Sequence, residues 1–183
     1  WMPGYRETVM DIGRSAAALD GAKLIYRPHP RERRQSIEQT MSLLAGAGAS
    51  PILYETSKIE AALALVDAVV SCFSTCGYDA LYLARSSELS PVVVFADYNP
   101  EIKRYWTEHA QINAFPAVDA GAAFEASSSA ALRDLLAACG DKEFRSLVRT
   151  RVQHALPDPA AAPDACVDAL LNLIAERSQV RAL

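Results

Sequence analysis

A run without polar residues, PVVVFA at residues 91–96 with three valines and a phenylalanine at its centre, is the feature that most restricts the fold of this chain. A strand without polar alternation is buried on both faces, and such strands are typical of parallel sheets covered by helices. Other segments with strand patterns occur at residues 23–26, 51–54 and 67–73. They alternate with helical patterns, which predicts an α/β domain with a Rossmann-like, doubly wound parallel sheet.

Segments with helical spacing lie between and after these strands, at residues 8–19, 32–47, 58–65, 75–84, 128–138, 142–154 and 164–177. We expect Thr56 or Ser57 to cap the third of them. Residues 99–109 are predicted to form a loop or broken helix, and residues 114–118 are predicted to form a last short strand. The PDPAAAP segment at 157–163 predicts a linker. The chain would then consist of a nucleotide-sugar-binding domain at 1–156 and a linker with a C-terminal helix at 157–183, packed on or beside it.

The start of the chain lacks a strand that this fold would normally have. A doubly wound sheet begins with a strand whose end carries a glycine-rich turn, yet the pattern opens directly on the first helix after Pro3 and Gly4. We therefore expect the first strand to be missing and these two residues to be the remnant of its turn. The chain would be either a fragment of a two-domain protein or a stand-alone binder.

Composition excludes several classes of protein. The net charge of −4 provides no general attraction to nucleic acid or to an anionic membrane. The apolar run at 61–70 is interrupted by Asp67 and is shorter than the roughly 20 residues that cross a bilayer. We expect no nucleic-acid partner and no transmembrane segment, while peripheral membrane association through other parts of the protein stays open.

The four cysteines, Cys72, Cys76, Cys139 and Cys166, fit neither a disulfide framework nor a paired zinc motif. Reduced and mostly buried thiols are the better interpretation. No signal-peptide pattern opens the chain. Together these features predict a cytoplasmic protein.

A basic loop follows the first predicted strand, with the sequence RPHPRERR at residues 27–34. Pro28 and Pro30 fix their own φ and push Arg27 and His29 out of the helical region, so that His29 is held on a stiff loop. Open α/β sheets bind ligands at the carboxyl ends of their strands. Because Arg31 and two further arginines follow, the loop predicts an anion site, and phosphate is the best match. The alternative is an ordinary turn followed by a solvated helix face.

A second candidate site follows the strand at 67–73. Ser74 and Thr75 stand where the next helix must start, so that their hydroxyls and the unpaired backbone N–H groups point toward the ligand crevice. The alternative is that Ser74 is only a helix N-cap. In a doubly wound sheet both loops can open on the same edge, which predicts that His29 and Ser74 lie at one crevice.

These two motifs, a basic His-Pro loop after one strand and a Ser-Thr pair after a strand two units later, resemble the donor-binding C-terminal half of GT-B glycosyltransferases. The resemblance is greatest to bacterial sialyltransferases and polysialyltransferases and to related capsule and teichoic-acid transferases that use CMP- or CDP-activated donors. It covers residues 4–155. It implies that His29, Ser74 and Thr75 bind the donor phosphate, and Arg27 and Arg31 match the basic residues of this group.

The resemblance also implies roles for two carboxylates. Glu60 resembles the acidic residue near the nucleoside, although an ordinary first-turn carboxylate is the alternative. Asp79 stands where such enzymes place a carboxylate on the ribose hydroxyls, with Gly77 allowing close approach of the backbone. His109 and His154 are better explained as a solvated loop residue and as a residue at the negative end of a helix dipole.

The function implied is sugar transfer from a nucleotide-sugar donor in surface polysaccharide synthesis, without a metal or other cofactor. A missing N-terminal domain would supply the catalytic base and bind the glycan acceptor, so that this chain alone would bind the donor without transferring its sugar. Two alternatives remain open. One is a UDP-sugar epimerase-like domain, and the other is a non-catalytic GT-B-like scaffold.

Overall fold

The computed structural model describes residues 4–56, 58–72, 74–89, 91–110, 114–161, 163–164, 166–168 and 171. In this part of the chain, short strands alternate with helices. The strands are β1 Ile25–Tyr26, β2 Ile52–Leu53, β3 Ala68–Ser71, β4 Val92–Phe95 and β5 Phe124–Glu125. The helices are α1 Tyr5–Ala17, α2 Arg34–Gly46, α3 Ile59–Leu63, α4 Cys76–Ser86, α5 Pro100–Tyr105, α6 Pro116–Asp119, α7 Ser129–Ala138 and α8 Lys142–Ala155.

All strand pairs are parallel, and they form two separate small sheets. One sheet contains β1 and β2, with Ile25 opposite Ile52. The other has the order β3-β4-β5, with Val70 opposite Val94. The prediction of an α/β fold with parallel strands is confirmed, although β1 to β4 are each shorter than the segments predicted for them.

Strand β4 forms the centre of the core. Its four residues are at most 1% exposed, as expected for an unbroken β-branched run between two helix layers. Helix α4 lies directly against it, because a Cβ atom at Gly77 would stand only 3.0 Å from the Phe95 ring. The Phe95 ring also stacks on Phe115 at a centroid distance of 4.0 Å.

The helices form two groups around the strands. Helix α1 packs against α2 and α7, and α4 packs against α3 and α8. The segment after β4 is fastened to the same body: the Tyr98 hydroxyl donates to Asp11 of α1 at 2.8 Å, and the Trp106 indole N–H donates to the Cys72 carbonyl at 3.0 Å. None of the helices in the described part of the chain is long and apolar enough to cross a membrane.

The structure corrects the strand predicted at residues 114–118. Helix α6 begins there at Pro116, because proline at the first helical position loses no hydrogen bond and its fixed φ suits a helix. The last strand is β5 instead. Residues 99–109 form α5 followed by a π-helical turn at Trp106–Ala110, which agrees with the broken helix predicted there.

The predicted cap of α3 is not present as a side-chain cap. The N-cap residue is Lys58, and Thr56 instead accepts a hydrogen bond from the Lys58 N–H at 3.2 Å within the preceding turn. Ser57, Pro3 and most of the helix predicted at 164–177 lie outside the described residues.

The four cysteines are not disulfide-bonded, and burial raises the pKa of the Cys72 thiol to about 12 and that of Cys139 to about 11. Cys166 is exposed, so the expectation of buried thiols does not extend to it.

Candidate anion-binding site

A cavity of about 870 Å³ lies between the two sheets. Its long walls are β1 and β3 together with the residues just before and after them, and helices α1 and α3 also contribute side chains. At one end of the cavity the chain leaves the carboxyl ends of both strands. That end is polar, and Arg27, His29 and Ser74 line it.

The structure thus brings three of the seven predicted site residues to one cavity. The other four, Arg31, Glu60, Thr75 and Asp79, are exposed and do not line it. Arg31 and Thr75 are sequence neighbours of residues that do. Glu60 and Asp79 lie in the first turns of α3 and α4, where a carboxylate also complements the helix dipole.

The His29 ring is held in a defined tautomer. Its Nδ1 accepts a hydrogen bond from the Arg31 backbone N–H at 3.1 Å, so Nδ1 carries no proton when the ring is neutral. The proton then lies on Nε2, and the ring is exposed. A neutral His29 therefore presents an N–H donor to solvent, as an anion site requires.

Glu32 fixes the loop that carries His29. One carboxylate oxygen accepts the Tyr26 hydroxyl at 2.7 Å, and the other accepts the His29 backbone N–H at 3.2 Å. The His29 carbonyl in turn accepts the Glu32 N–H at 2.8 Å. Burial and the Glu32 carboxylate raise the pKa of Tyr26, so its hydroxyl stays protonated and donates. The stiffness predicted from the two prolines is therefore reinforced by a carboxylate that the sequence analysis did not single out.

Replacing Glu32 with alanine is expected to loosen this loop. Two hydrogen bonds to a carboxylate are lost, so the free energy of unfolding should fall by about 1 to 3 kcal/mol. Hydrogen exchange at the His29 amide should become faster, because that N–H loses its acceptor. Urea denaturation and amide exchange measure the two effects. Glu38→Ala is the control, since the one ion pair of Glu38 among the described residues is with Arg34 on the exposed surface of α2. An unchanged His29 exchange rate would show that Glu32 does not hold the loop.

Arg27 supplies positive charge to the cavity. One guanidinium nitrogen donates to the Thr56 carbonyl at 3.4 Å. The Nε atom is buried and has no hydrogen-bond partner in the part of the chain that the structure describes. A buried, unpaired cationic donor is costly, and an anion at the cavity mouth would reduce that cost.

Ser74 lies in a tight turn between β3 and α4. The Ser71 hydroxyl accepts the Ser74 N–H at 3.1 Å and donates to the Ser74 carbonyl at 2.9 Å, which closes the turn. The Ser74 hydroxyl accepts the Cys76 N–H at 3.2 Å, while the N-cap residue, Thr75, makes no side-chain cap. Ser74 therefore satisfies one N–H at the helix start, and its hydroxyl hydrogen still provides a donor.

Asp97, which follows the carboxyl end of β4, is a buried acidic residue that was not among the site residues predicted from the sequence. The side chain is only 5% exposed, and its Oδ1 lacks a hydrogen-bond partner within the described residues. Burial and the nearby Glu125 carboxylate raise its pKa to about 6, opposed by the Lys103 ammonium. A charged residue directly after the most buried strand was the signal that could have identified it. Asp97 does not line the cavity.

Comparison of the chain with family models, with curated proteins and with solved structures found no match.

Proposed function

We propose that this protein binds a phosphate-bearing nucleotide at the carboxyl-end mouth of the cavity between β1 and β3. More specifically, we propose that it is the donor-binding domain of a GT-B-type glycosyltransferase that uses a CMP- or CDP-activated sugar. In this proposal the two parallel sheets are parts of one doubly wound, Rossmann-like sheet. Open α/β sheets bind ligands where the connections after neighbouring strands separate.

The observation that carries the proposal is the meeting of His29 and Ser74 at one cavity. They come from loops that are far apart in sequence, and each was singled out there for its donor chemistry. With Arg27 they line the polar end of the same cavity, which combines a cationic guanidinium, an imidazole N–H and a hydroxyl. Donors of these three types are suited to phosphate oxygens.

The chemistry of the site follows from its donors. When a sugar leaves its nucleotide, negative charge grows on the leaving phosphate. Preorganised donors aimed at that charge lower the barrier more than they tighten binding of the ground state. His29, on a loop fixed by Glu32, would supply one such donor. The hydroxyl hydrogen of Ser74 would supply another.

Calorimetric titration with CMP, CDP, UMP and UDP tests the proposal. The cytidine nucleotides should bind, and His29→Ala should weaken that binding by about 5- to 100-fold, the effect of losing one hydrogen bond to a charged group. His154→Ala is the matched control. That histidine is exposed in the last turn of α8, and within the described residues its ring bonds only to its own helix, at the Thr150 carbonyl.

The outcomes separate the alternatives. Tighter binding of UMP and UDP would favour the epimerase-like protein. No binding of any nucleotide at millimolar concentration would favour the non-catalytic scaffold. Equal CMP affinity in the His29 and His154 variants would remove His29 from the site.

A further inference from the structure

The cavity between β1 and β3 has the shape of a strand position rather than of a simple ligand pocket. Consecutive residues along both edges line it, at 22–27 on one side and 66–72 on the other. Side chains alternate between the two faces of a strand, so a pocket on one face would be lined by every second residue. An unbroken series on both sides means that the two strand edges themselves face the cavity.

The backbone of β1 and β3 is also oriented for an additional neighbour. In β1, the Leu24 and Tyr26 carbonyls accept hydrogen bonds from the β2 segment, so the backbone groups of Ile25 and Arg27 point the other way, into the cavity. In β3, the Asp67 and Ser71 carbonyls accept from the β4 segment.

The same alternation directs the backbone groups of Ala68 and Val70 into the cavity from the β3 side, whereas the Cys72 carbonyl, beyond the end of β3, already accepts the Trp106 indole N–H. We call the space between these two strand edges the slot. The backbone groups that point into it, including those of Ile25 and Arg27, are the slot-facing groups. Two parallel strand edges therefore face each other across the slot, each with ladder positions that its own sheet does not use.

The surroundings of the slot suit an apolar strand. Val9 and Ile12 of α1 and Ile59 and Leu63 of α3 line it, so apolar side chains from two helices that belong to different packing groups enclose it. A strand buried in this way would be apolar on both faces, as central parallel strands are.

Helix α1 indicates where such a strand would come from. Its N-cap, Gly4, has φ 78° and lies against Asn99, just beyond the carboxyl end of β4. The first helical residue, Tyr5, interacts with Cys72 at the end of β3 and with Tyr26 of β1. Helix α1 thus begins at the carboxyl end of the slot and leads to β1, as the second half of a β-α-β unit does.

We propose that the slot is the position of a sixth parallel strand, formed by the polypeptide that leads directly into Trp1, in the order β2-β1-strand-β3-β4-β5. A right-handed crossover through α1 would place that strand beside β1. A connection through residues 1–4 has the usual length of a strand-to-helix loop. A strand from a second copy would lack this short connection. The strand would end beside the Arg27 backbone, so the side chains of Arg27, His29 and Ser74 would keep their places at the mouth and nucleotide binding there does not depend on the strand.

The test fuses a six-residue strand rich in valine and isoleucine directly before Trp1. Amide exchange is then compared with that of the 183-residue chain. The slot-facing N–H groups of Ile25, Arg27, Ala68 and Val70 should exchange at least about tenfold more slowly in the fusion, because they gain acceptors. Two controls use the same residues: the strand with a central proline, which removes a ladder donor, and the strand attached after Leu183.

The outcomes are distinct. Slower exchange at the slot-facing groups that the proline variant abolishes supports the proposal. Equal protection in the proline variant, or in the fusion at Leu183, overturns it. Protection that appears in the unmodified chain only as a dimer forms would assign the slot to a second copy and also overturn it. If the fusion is insoluble, the same strand is added to the unmodified chain as a free peptide with terminal lysines. Absence of protection there overturns the proposal.

Discussion

Replacing Phe95 with alanine is expected to lower the free energy of unfolding by about 3 to 5 kcal/mol, the cost of removing a fully buried aromatic ring from a packed core. The ring is 1% exposed, stacks on Phe115 and contacts Tyr78 at a centroid distance of 5.9 Å. Helix α4 lies so close at Gly77 that the backbone cannot easily collapse into the space. Urea denaturation monitored by circular dichroism measures the loss.

Tyr82→Ala provides the matched control for this prediction. Tyr82 is an aromatic residue of α4 but is 38% exposed, so its removal should change stability by no more than about 0.5 kcal/mol. Phe95→Leu should recover much of the loss, since most of the buried volume is retained. A loss below about 1 kcal/mol in Phe95→Ala would mean that the aromatic cluster around β4 does not organise the core.

The sequence predicts the central part of this fold well because burial determines it. An apolar run with no polar alternation, such as β4, must be buried on both faces, and the centre of a parallel sheet between helices provides that environment. Prediction fails where a local rule and an apolar pattern compete. Residues 114–118 contain Phe115 and Val118 and resemble a strand, but Pro116 starts a helix there. Strand β5 has only two residues, Phe124 and Glu125, which is too short for an alternating or continuous apolar pattern to predict it.

The candidate site shows the same division. His29 and Ser74 can be identified from the sequence, because the proline restraints and the strand ends that mark them depend on neighbouring residues. The contacts that position the two side chains cannot be identified in this way. Glu32 fixes the loop through Tyr26 and through the His29 amide, and a carboxylate at the start of a helix gives no sign of this in the sequence. The pKa of Asp97 is raised by burial and by Glu125, which is distant in sequence and becomes its neighbour only in the fold.

Replacing Asp97 with asparagine is expected to stabilise the protein at neutral pH. In the folded protein, burial and the Glu125 carboxylate raise the pKa of Asp97 from 3.8 to about 6. The folded state therefore binds a proton more tightly than the unfolded state. The stabilisation due to that proton is fully present below about pH 4 and is lost as the pH rises through about 6.

Asparagine keeps the shape of the protonated side chain and removes its titration. At pH 7.5 the variant should therefore be more stable than the original protein by about 3 kcal/mol, and at pH 4.5 by only about 1 kcal/mol. Urea denaturation of both proteins at the two pH values measures the difference. Asp134→Asn is the control, since the Asp134 side chain is 78% exposed on α7 and should show no such pH dependence.

A destabilising effect of Asp97→Asn at pH 7.5 would contradict this account of the buried carboxyl. It would mean that the ionised carboxylate gains more from Lys103 than it loses through burial and through Glu125. The Lys103 ammonium lies 3.1 Å from Glu125 and is therefore already paired. Because one cation then serves two carboxylates, we expect the desolvation of Asp97 to dominate and the asparagine variant to be the more stable protein.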